Sequence, residues 1–138
     1  MTSTGGITFA VASCAAIPGV SVSVQVPGSA VLVASADGTV QLNSSTSNNA
    51  LVEFRFVVDG AAITNSLHRL TVSNTAGVTP GFGTWAMTRA FALDPGMHTI
   101  SVCGQLVTGS AAAFSGNAGN ATTPPQTPDN LTVVILKR

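Results

Sequence analysis

The sequence predicts an all-β protein, an antiparallel β-sandwich of jelly-roll type with little or no helix. β-branched residues alternate with polar ones along most of the chain, which is the period of a strand buried on one face. Turn-forming pairs such as Pro-Gly and Asp-Gly recur at the spacing of about ten residues that is typical of sandwiches and barrels. No stretch combines helical periodicity with a helix cap.

The first half of the chain shows this pattern most clearly. Residues 20–26 alternate Val with Ser and Gln, and Pro18-Gly19 is predicted to open this strand. Residues 30–36 form an apolar strand, which Asp37-Gly38 is expected to end with a hairpin turn. The chain would then return along residues 39–42.

Residues 51–58 form the next predicted strand, and Asp59-Gly60 is the turn that ends it. Its two faces differ in chemistry. One face is fully apolar and is the core candidate: Val52, Phe54, Phe56 and Val58. The other mixes apolar and charged residues: Leu51, Glu53, Arg55 and Val57.

In the second half, residues 84–93 and 98–107 read as strands joined by the turn Asp94-Pro95-Gly96, so a hairpin between them is expected. Residues 131–136 are the closing strand. The buried residues should be those in the apolar phase of the strands: Val52, Phe54, Phe56, Ile100, Val102, Val133 and Ile135.

The length of 138 residues suits one domain, so we expect residues 1–138 to form a single sandwich. Residues 1–17 would be a loosely packed N-terminal strand. Residues 109–130, rich in Ala, Gly, Asn and Pro, would be a long loop.

The charge content excludes several function classes. Only 7% of residues are charged, against roughly 25% in typical domains, and the net charge is zero. The one adjacent basic pair, Lys137-Arg138, cannot form a phosphate-binding face, so no nucleic-acid partner is expected. No apolar run reaches the roughly 18 residues of a membrane span, and the first 16 residues lack the basic segment of a signal peptide.

The same scarcity of charge predicts self-association, because an uncharged apolar surface is poorly protected against contact with other chains. Leu51 and Val57 lie on the non-aromatic face of their strand, which a monomer would leave in water. We therefore predict that the partner is a second copy of the chain and that Leu51 and Val57 lie in the interface.

The two cysteines, Cys14 and Cys103, leave two interpretations open. They could form one disulfide bond, or each could be a buried thiol that packs as a small hydrophobic side chain.

Four segments carry a resemblance to a known family. They are residues 30–36 (AVLVASA), 52–60 (VEFRFVVDG), 91–102 (FALDPGMHTISV) and 131–136 (LTVVIL). In this order they resemble the jelly roll of tumour-necrosis-factor and complement globular-head domains, over residues 28–138. Bacterial surface proteins with such domains, including spore-coat filaments, have similar Ser/Thr/Ala-rich chains of low charge. The resemblance implies a trimer and favours a cell-surface or extracellular location, although this chain has no Tyr.

No pattern in the chain indicates catalysis or a cofactor. The two histidines, His68 and His98, lack the H-x-H or C-x-x-C spacing of a metal site. A triad of Ser, His98 and Asp94 has no G-x-S-x-G elbow to support it. The aspartates at 37, 59 and 94 are explained by turn formation alone. We therefore predict no enzyme activity, no metal and no cofactor.

Trp85 and Phe82 are the candidate ligand-binding residues, because they follow a Gly/Pro loop and an exposed aromatic ring can stack on a sugar. The opposing interpretation places Trp85 in the core or in a subunit interface. The preferred function is a structural or surface-attachment module that self-assembles as a trimer. The alternative is a carbohydrate-binding sandwich with its ligand at residues 82–85 or in the 109–130 loop.

Overall fold

The computed structural model describes residues 6–42, 46–76, 81–109, 113–116 and 129–137. Ten strands and one 3-10 turn (Thr64–Ser66) make up the regular structure of this part of the chain. The strands are β1 (Gly6–Thr8), β2 (Ala15–Val26), β3 (Ala30–Leu42), β4 (Asn48–Val58), β5 (Ala61–Ala62), β6 (His68–Asn74), β7 (Gly81–Leu93), β8 (Gly96–Gly109), β9 (Ala113–Gly116) and β10 (Asn130–Lys137). No helix among the described residues has the length and hydropathy to cross a membrane.

The strands form two antiparallel sheets packed face to face, which confirms the predicted β-sandwich. Sheet A has the order β1-β9-β3-β10, with β7 on the other side of β3. Sheet B has the order β2-β8-β4-β5, with β6 also pairing β4. The pairs β4/β6, β3/β7 and β2/β8 are nested around one another along the chain. One long folded hairpin of this kind is the connectivity of a jelly roll.

The inner faces of the two sheets form the core, with the phase that the alternation predicts. Val52, Phe54, Phe56, Ile100 and Val102 are all fully buried, as predicted. The other two predicted core residues, Val133 and Ile135, are half-buried and pack against the core. They are less buried because β10 lies at the end of the strand order of sheet A.

Three aromatic rings join the two sheets and the N-terminal segment at the centre of this core. Phe54 of sheet B stacks on Trp85 of sheet A, with ring centroids 4.3 Å apart and planes 17° apart. Phe9 meets the Phe54 ring edge-on at 5.6 Å. Gly104 leaves room for this contact, because a Cβ at that position would overlap the Phe9 ring.

The predicted hairpin at Asp37-Gly38 is wrong, since β3 runs through both residues without a break. Gly38 is required by packing rather than by a turn. A Cβ there would overlap the carboxylate of Asp129 and lie 2.8 Å from the Trp85 ring. The turn predicted at Asp59-Gly60 does form, with φ angles of 51° and 81°.

The predicted hairpin between residues 84–93 and 98–107 is also wrong. β7 pairs β3 in sheet A, whereas β8 lies between β2 and β4 in sheet B. Asp94-Pro95-Gly96 therefore reverses the chain while carrying it from one sheet to the other. Pro18-Gly19 does not open a strand either, because it lies inside β2 at an irregularity in the pairing with β8.

Both the segment predicted to be a loosely packed strand (1–17) and the segment predicted to be a long loop (109–130) contain ordered elements, although residues 1–5 lie outside the described part of the chain. Phe9 and Ile17 are buried, so this part of the N-terminal segment belongs to the core. The predicted loop at 109–130 contains β9, which pairs with β1 and β3. Residues 110–112 and 117–128 of that loop lie outside the described residues.

Cys14 and Cys103 form a disulfide bond, which decides between the two interpretations of the cysteines. The bond ties the segment before β2 to β8 across 89 residues of sequence. Because such a bond limits the conformations of the unfolded chain, it should stabilise the fold.

The substitution Phe56→Ala should lower the free energy of unfolding by roughly 3–5 kcal/mol, the usual cost of removing a buried phenyl ring. Phe56 is fully buried and meets Phe91 edge-on at 5.6 Å. Chemical denaturation measures the change, with the exposed Met97→Ala as control. Unfolding midpoints equal in the two variants would contradict this core.

Removing the disulfide with the double substitution Cys14→Ala and Cys103→Ala should cost roughly 2–5 kcal/mol, because the closed loop is long. Denaturation of the wild-type chain with and without reducing agent gives a second measurement. If the reductant shifts the midpoint of the double variant as well, the effect does not come from this bond.

Candidate functional site

The outer face of sheet A carries an exposed apolar patch at one end and a groove with polar lining at the other. Strands β10, β3 and β7 lie side by side in register, so their outward residues form rows across the face. Successive rows from one end are Leu136-Val31-Ala92, Val134-Val33-Ala90, Thr132-Ser35-Thr88, Asn130-Asp37-Ala86, Thr39-Thr84 and Gln41-Phe82. In the last two rows Thr39 and Gln41 are buried, and only Thr84 and Phe82 are exposed. The face is thus apolar at one end and polar at the other.

The first two rows, Leu136-Val31-Ala92 and Val134-Val33-Ala90, are called the apolar rows below. Leu136 and Val134 are 49% and 50% exposed, and they belong to one contiguous apolar patch, which is more informative than single exposed aliphatic residues. None of the six residues in these rows carries a charge.

The polar end contains a groove with a volume of about 670 Å³, within the range of small-ligand sites. Asp37 lies in it beside Asn130, whose Nδ2 donates a hydrogen bond of 3.3 Å to the Asp37 carboxylate. The groove is lined by Asp37, Gly38, Thr39, His68, Thr84, Trp85, Ala86 and Asn130.

The base of this groove is rigid because buried groups hold it. Asp129 is fully buried and accepts a hydrogen bond of 3.0 Å from the backbone N–H of Thr39. Its carboxylate occupies the space beside Gly38. The Trp85 ring is fixed there by its stacking on Phe54.

The structure separates the two aromatic residues proposed as ligand contacts. Trp85 is 2% exposed, and one face of its ring is covered by Phe54, so it does not provide a stacking surface for a sugar. Of the two interpretations of Trp85, the structure therefore supports the one that places it in the core. Phe82 is 55% exposed on the outer face of sheet A, and its role in ligand binding stays a prediction.

Leu51 and Val57, the predicted interface residues, are half-exposed on the outer face of sheet B. Glu53 lies between them but is only 2% exposed, although the sequence pattern placed it on a solvent face. Arg55 donates to Oε1 of Glu53, and Arg69 donates to its Oε2 at 3.1 Å. These contacts hold the two arginines over a buried carboxylate. That Leu51 and Val57 lie in a subunit interface stays a prediction.

His98 joins the start of β8 to the turn after β4. Its Nδ1 lies 2.7 Å from Oδ2 of Asp59, and its Nε2 lies 2.9 Å from the backbone oxygen of Asp94. The other Asp59 oxygen accepts the Thr99 N–H at 2.8 Å. Both ring nitrogens face acceptor oxygens, so the doubly protonated imidazolium fits this site best.

These contacts change two pKa values. Hydrogen bonding to Asp59, and then to the Asp94 carbonyl, raises the pKa of His98 above its ordinary 6.5. The Thr99 N–H, and then His98, lower the pKa of Asp59 below its ordinary 3.8. Since both His98 nitrogens are engaged with Asp59 and Asp94, the ring is placed to hold a turn. Within the described residues, no three His, Cys, Asp or Glu side chains converge as a metal site would require.

The comparisons with known proteins give no assignment. No protein-family model matches the chain, and a search of curated proteins found no match.

The sequence analysis missed the apolar rows and the groove for different reasons. Val134 and Leu136 are in the opposite phase to Val133 and Ile135, so the alternation of β10 already indicated two apolar faces. The groove carried no local signal. Asp37, Thr84 and Asn130 are far apart in sequence and meet only through strand register.

The His98–Asp59 pair should give a stability maximum between about pH 3.8 and 6.5. The His98 contribution is full below 6.5 and is lost as pH rises through its raised pKa. The Asp59 contribution is full above 3.8 and is lost as pH falls through its lowered pKa. Melting temperature should therefore fall as pH rises above about 6.5 and through the raised pKa of His98. The fall should be smaller than in the wild type for His98→Gln, and as large as in the wild type for the control His68→Gln. An equal fall in His98→Gln and the wild type would refute this assignment.

Proposed function

We propose that this chain is a non-catalytic structural or surface-attachment module that self-assembles as a trimer through the apolar rows. The observation that carries the proposal is the contiguous, uncharged patch formed by Leu136, Val134, Val31, Val33, Ala90 and Ala92. The occupant that we assign to this patch is a second copy of the chain.

The hydrophobic effect supplies the driving force for this contact. Burying apolar surface gains about 25 cal/mol per Å², and the apolar rows impose no charge desolvation that would offset the gain. A groove of about 550 Å³ adjoins the patch around β7. Its lining mixes apolar residues such as Val33, Ala90 and Phe91 with Asn65 and Arg89, so the uncharged surface is confined to the two rows.

The outer face of sheet B is a weaker candidate for the interface. A contact centred on Leu51 and Val57 would cover the Glu53, Arg55 and Arg69 group. Arg69 is 54% exposed, so burying it would remove a hydrated charge from water. We therefore propose that the interface lies on sheet A rather than at Leu51 and Val57.

The nested strand order supports the proposal that the chain is a jelly roll of the tumour-necrosis-factor and complement globular-head type, and this resemblance is the reason for proposing three subunits. The cell-surface or extracellular location is proposed on the same ground. The absence of enzyme activity is a proposal supported by His98, since both of its nitrogens are engaged by Asp59 and Asp94.

The wild-type chain should sediment at three times the mass of its 13.8 kDa subunit. The double substitution Val134→Ser and Leu136→Ser should convert it to monomer, because polar groups then replace the contact. Salt should change the mass little, since screening acts on charges and the apolar rows have none. Sedimentation equilibrium at about 0.1 M and about 1 M salt measures both effects.

The matched control is Leu51→Ser with Val57→Ser, which makes the same kind of change on sheet B. It should remain a trimer. If only this control dissociates, the interface lies on sheet B. A wild-type monomer at micromolar concentration in both salts would exclude the assembly itself.

A further inference from the structure

We propose that the groove at the polar end of sheet A is a binding site for a neutral saccharide. Asp37 and Asn130 would hold hydroxyl groups of one ring of an oligosaccharide, and Phe82 would pack against a following ring. This goes beyond the proposed assembly and does not depend on it.

The groove brings together the hydrogen-bonding groups that a polyol requires. The Asp37 carboxylate accepts hydrogen bonds only, the Asn130 amide both donates and accepts, and the Thr84 hydroxyl does the same. Neighbouring hydroxyl groups of a sugar can each donate and accept, so they match such a mixed set. The Asn130–Asp37 bond of 3.3 Å is long, and a ligand hydroxyl can replace it.

Phe82 supplies an apolar surface next to these polar groups. It lies two residues before Thr84 and four before Ala86, the residue that pairs with Asp37. Phe82 is therefore roughly 7 Å from Thr84 along the strand and roughly 14 Å from the Asp37 row. Its ring is more than half exposed, at the edge of the groove rather than in its lining. At this separation the aromatic ring and the carboxylate–amide pair can contact successive rings of one oligosaccharide.

The charges at the groove favour a neutral ligand. Among the described residues that line the groove, Asp37 is the one carboxylate and none is Lys or Arg, while the buried Asp129 carboxylate lies at the base. A phosphate or sulfate would meet the Asp37 charge, and His68 is the one basic residue in this described lining. A tightly held divalent cation would need several oxygen ligands from acidic side chains.

The groove can remain open when the chain assembles. The row Thr132-Ser35-Thr88 separates it from the apolar rows. In this row the hydroxyl groups of Ser35 and Thr88 are hydrogen-bonded at 2.8 Å. Because the base is held by Asp129 and the Phe54–Trp85 stack, little reorganisation should accompany binding.

The test is an NMR titration of the ¹⁵N-labelled full chain with the neutral disaccharides cellobiose, lactose, maltose, mannobiose and N,N′-diacetylchitobiose, each up to about 50 mM. At least one sugar should shift the amide signals of Asp37, Thr84 and Asn130. Asp37→Asn and Phe82→Ala should each weaken that affinity at least about tenfold. The matched control Thr132→Val, on the same face outside the groove, should bind like the wild type.

Several results would overturn the proposal. One is no shift with any of the sugars. Another is a shift that persists unchanged in both Asp37→Asn and Phe82→Ala. Binding of putrescine or inorganic phosphate at the groove, with no sugar bound, would assign the site to an ion instead. The Val134→Ser, Leu136→Ser double variant should bind the sugar normally, so failure of the assembly and failure of this site are distinguishable.

Discussion

The stacked pair of Phe54 and Trp85 is the contact on which the rest of the sandwich depends. It joins the middle of sheet B to sheet A, and the edge of Phe9 completes it from the N-terminal segment. Space around these rings is so limited that Gly104 and Gly38 cannot carry a Cβ without overlap. A close-packed interior has few voids, so one large aromatic contact decides which neighbours must be small.

The packing of the core around this contact also decides which side chains face outward on each sheet. Because the inward-facing side chains of each strand lie in the core, only the outward-facing side chains can contact a partner. On the outer face of sheet B, Arg55 and Arg69 lie over the buried Glu53, and they are two of the five Lys and Arg residues in the chain. Sheet A has instead the apolar rows at one end and the groove at the other. In a chain with so few charges, this division is what distinguishes the two faces.

Much of the fold could be read from local patterns. The alternation in β4 correctly placed Val52, Phe54 and Phe56 inside, because side chains of a strand alternate strictly between faces. The Asp59-Gly60 turn followed equally well, since only two residues decide it. The same reasoning failed at Asp37-Gly38. There the glycine is required because a Cβ would overlap the carboxylate of Asp129, a residue more than ninety positions away in the chain.

The sequence by itself determined the all-β class, the phase of the long strands and the low charge that favours association, because each of these depends on neighbouring residues or on composition. Only the tertiary structure decided that β7 and β8 belong to different sheets, that Cys14 is bonded to Cys103, and that Asp37 and Asn130 share a groove. Those features depend on strand register between distant segments, and register is determined by the packing of whole sheets rather than by any local pattern.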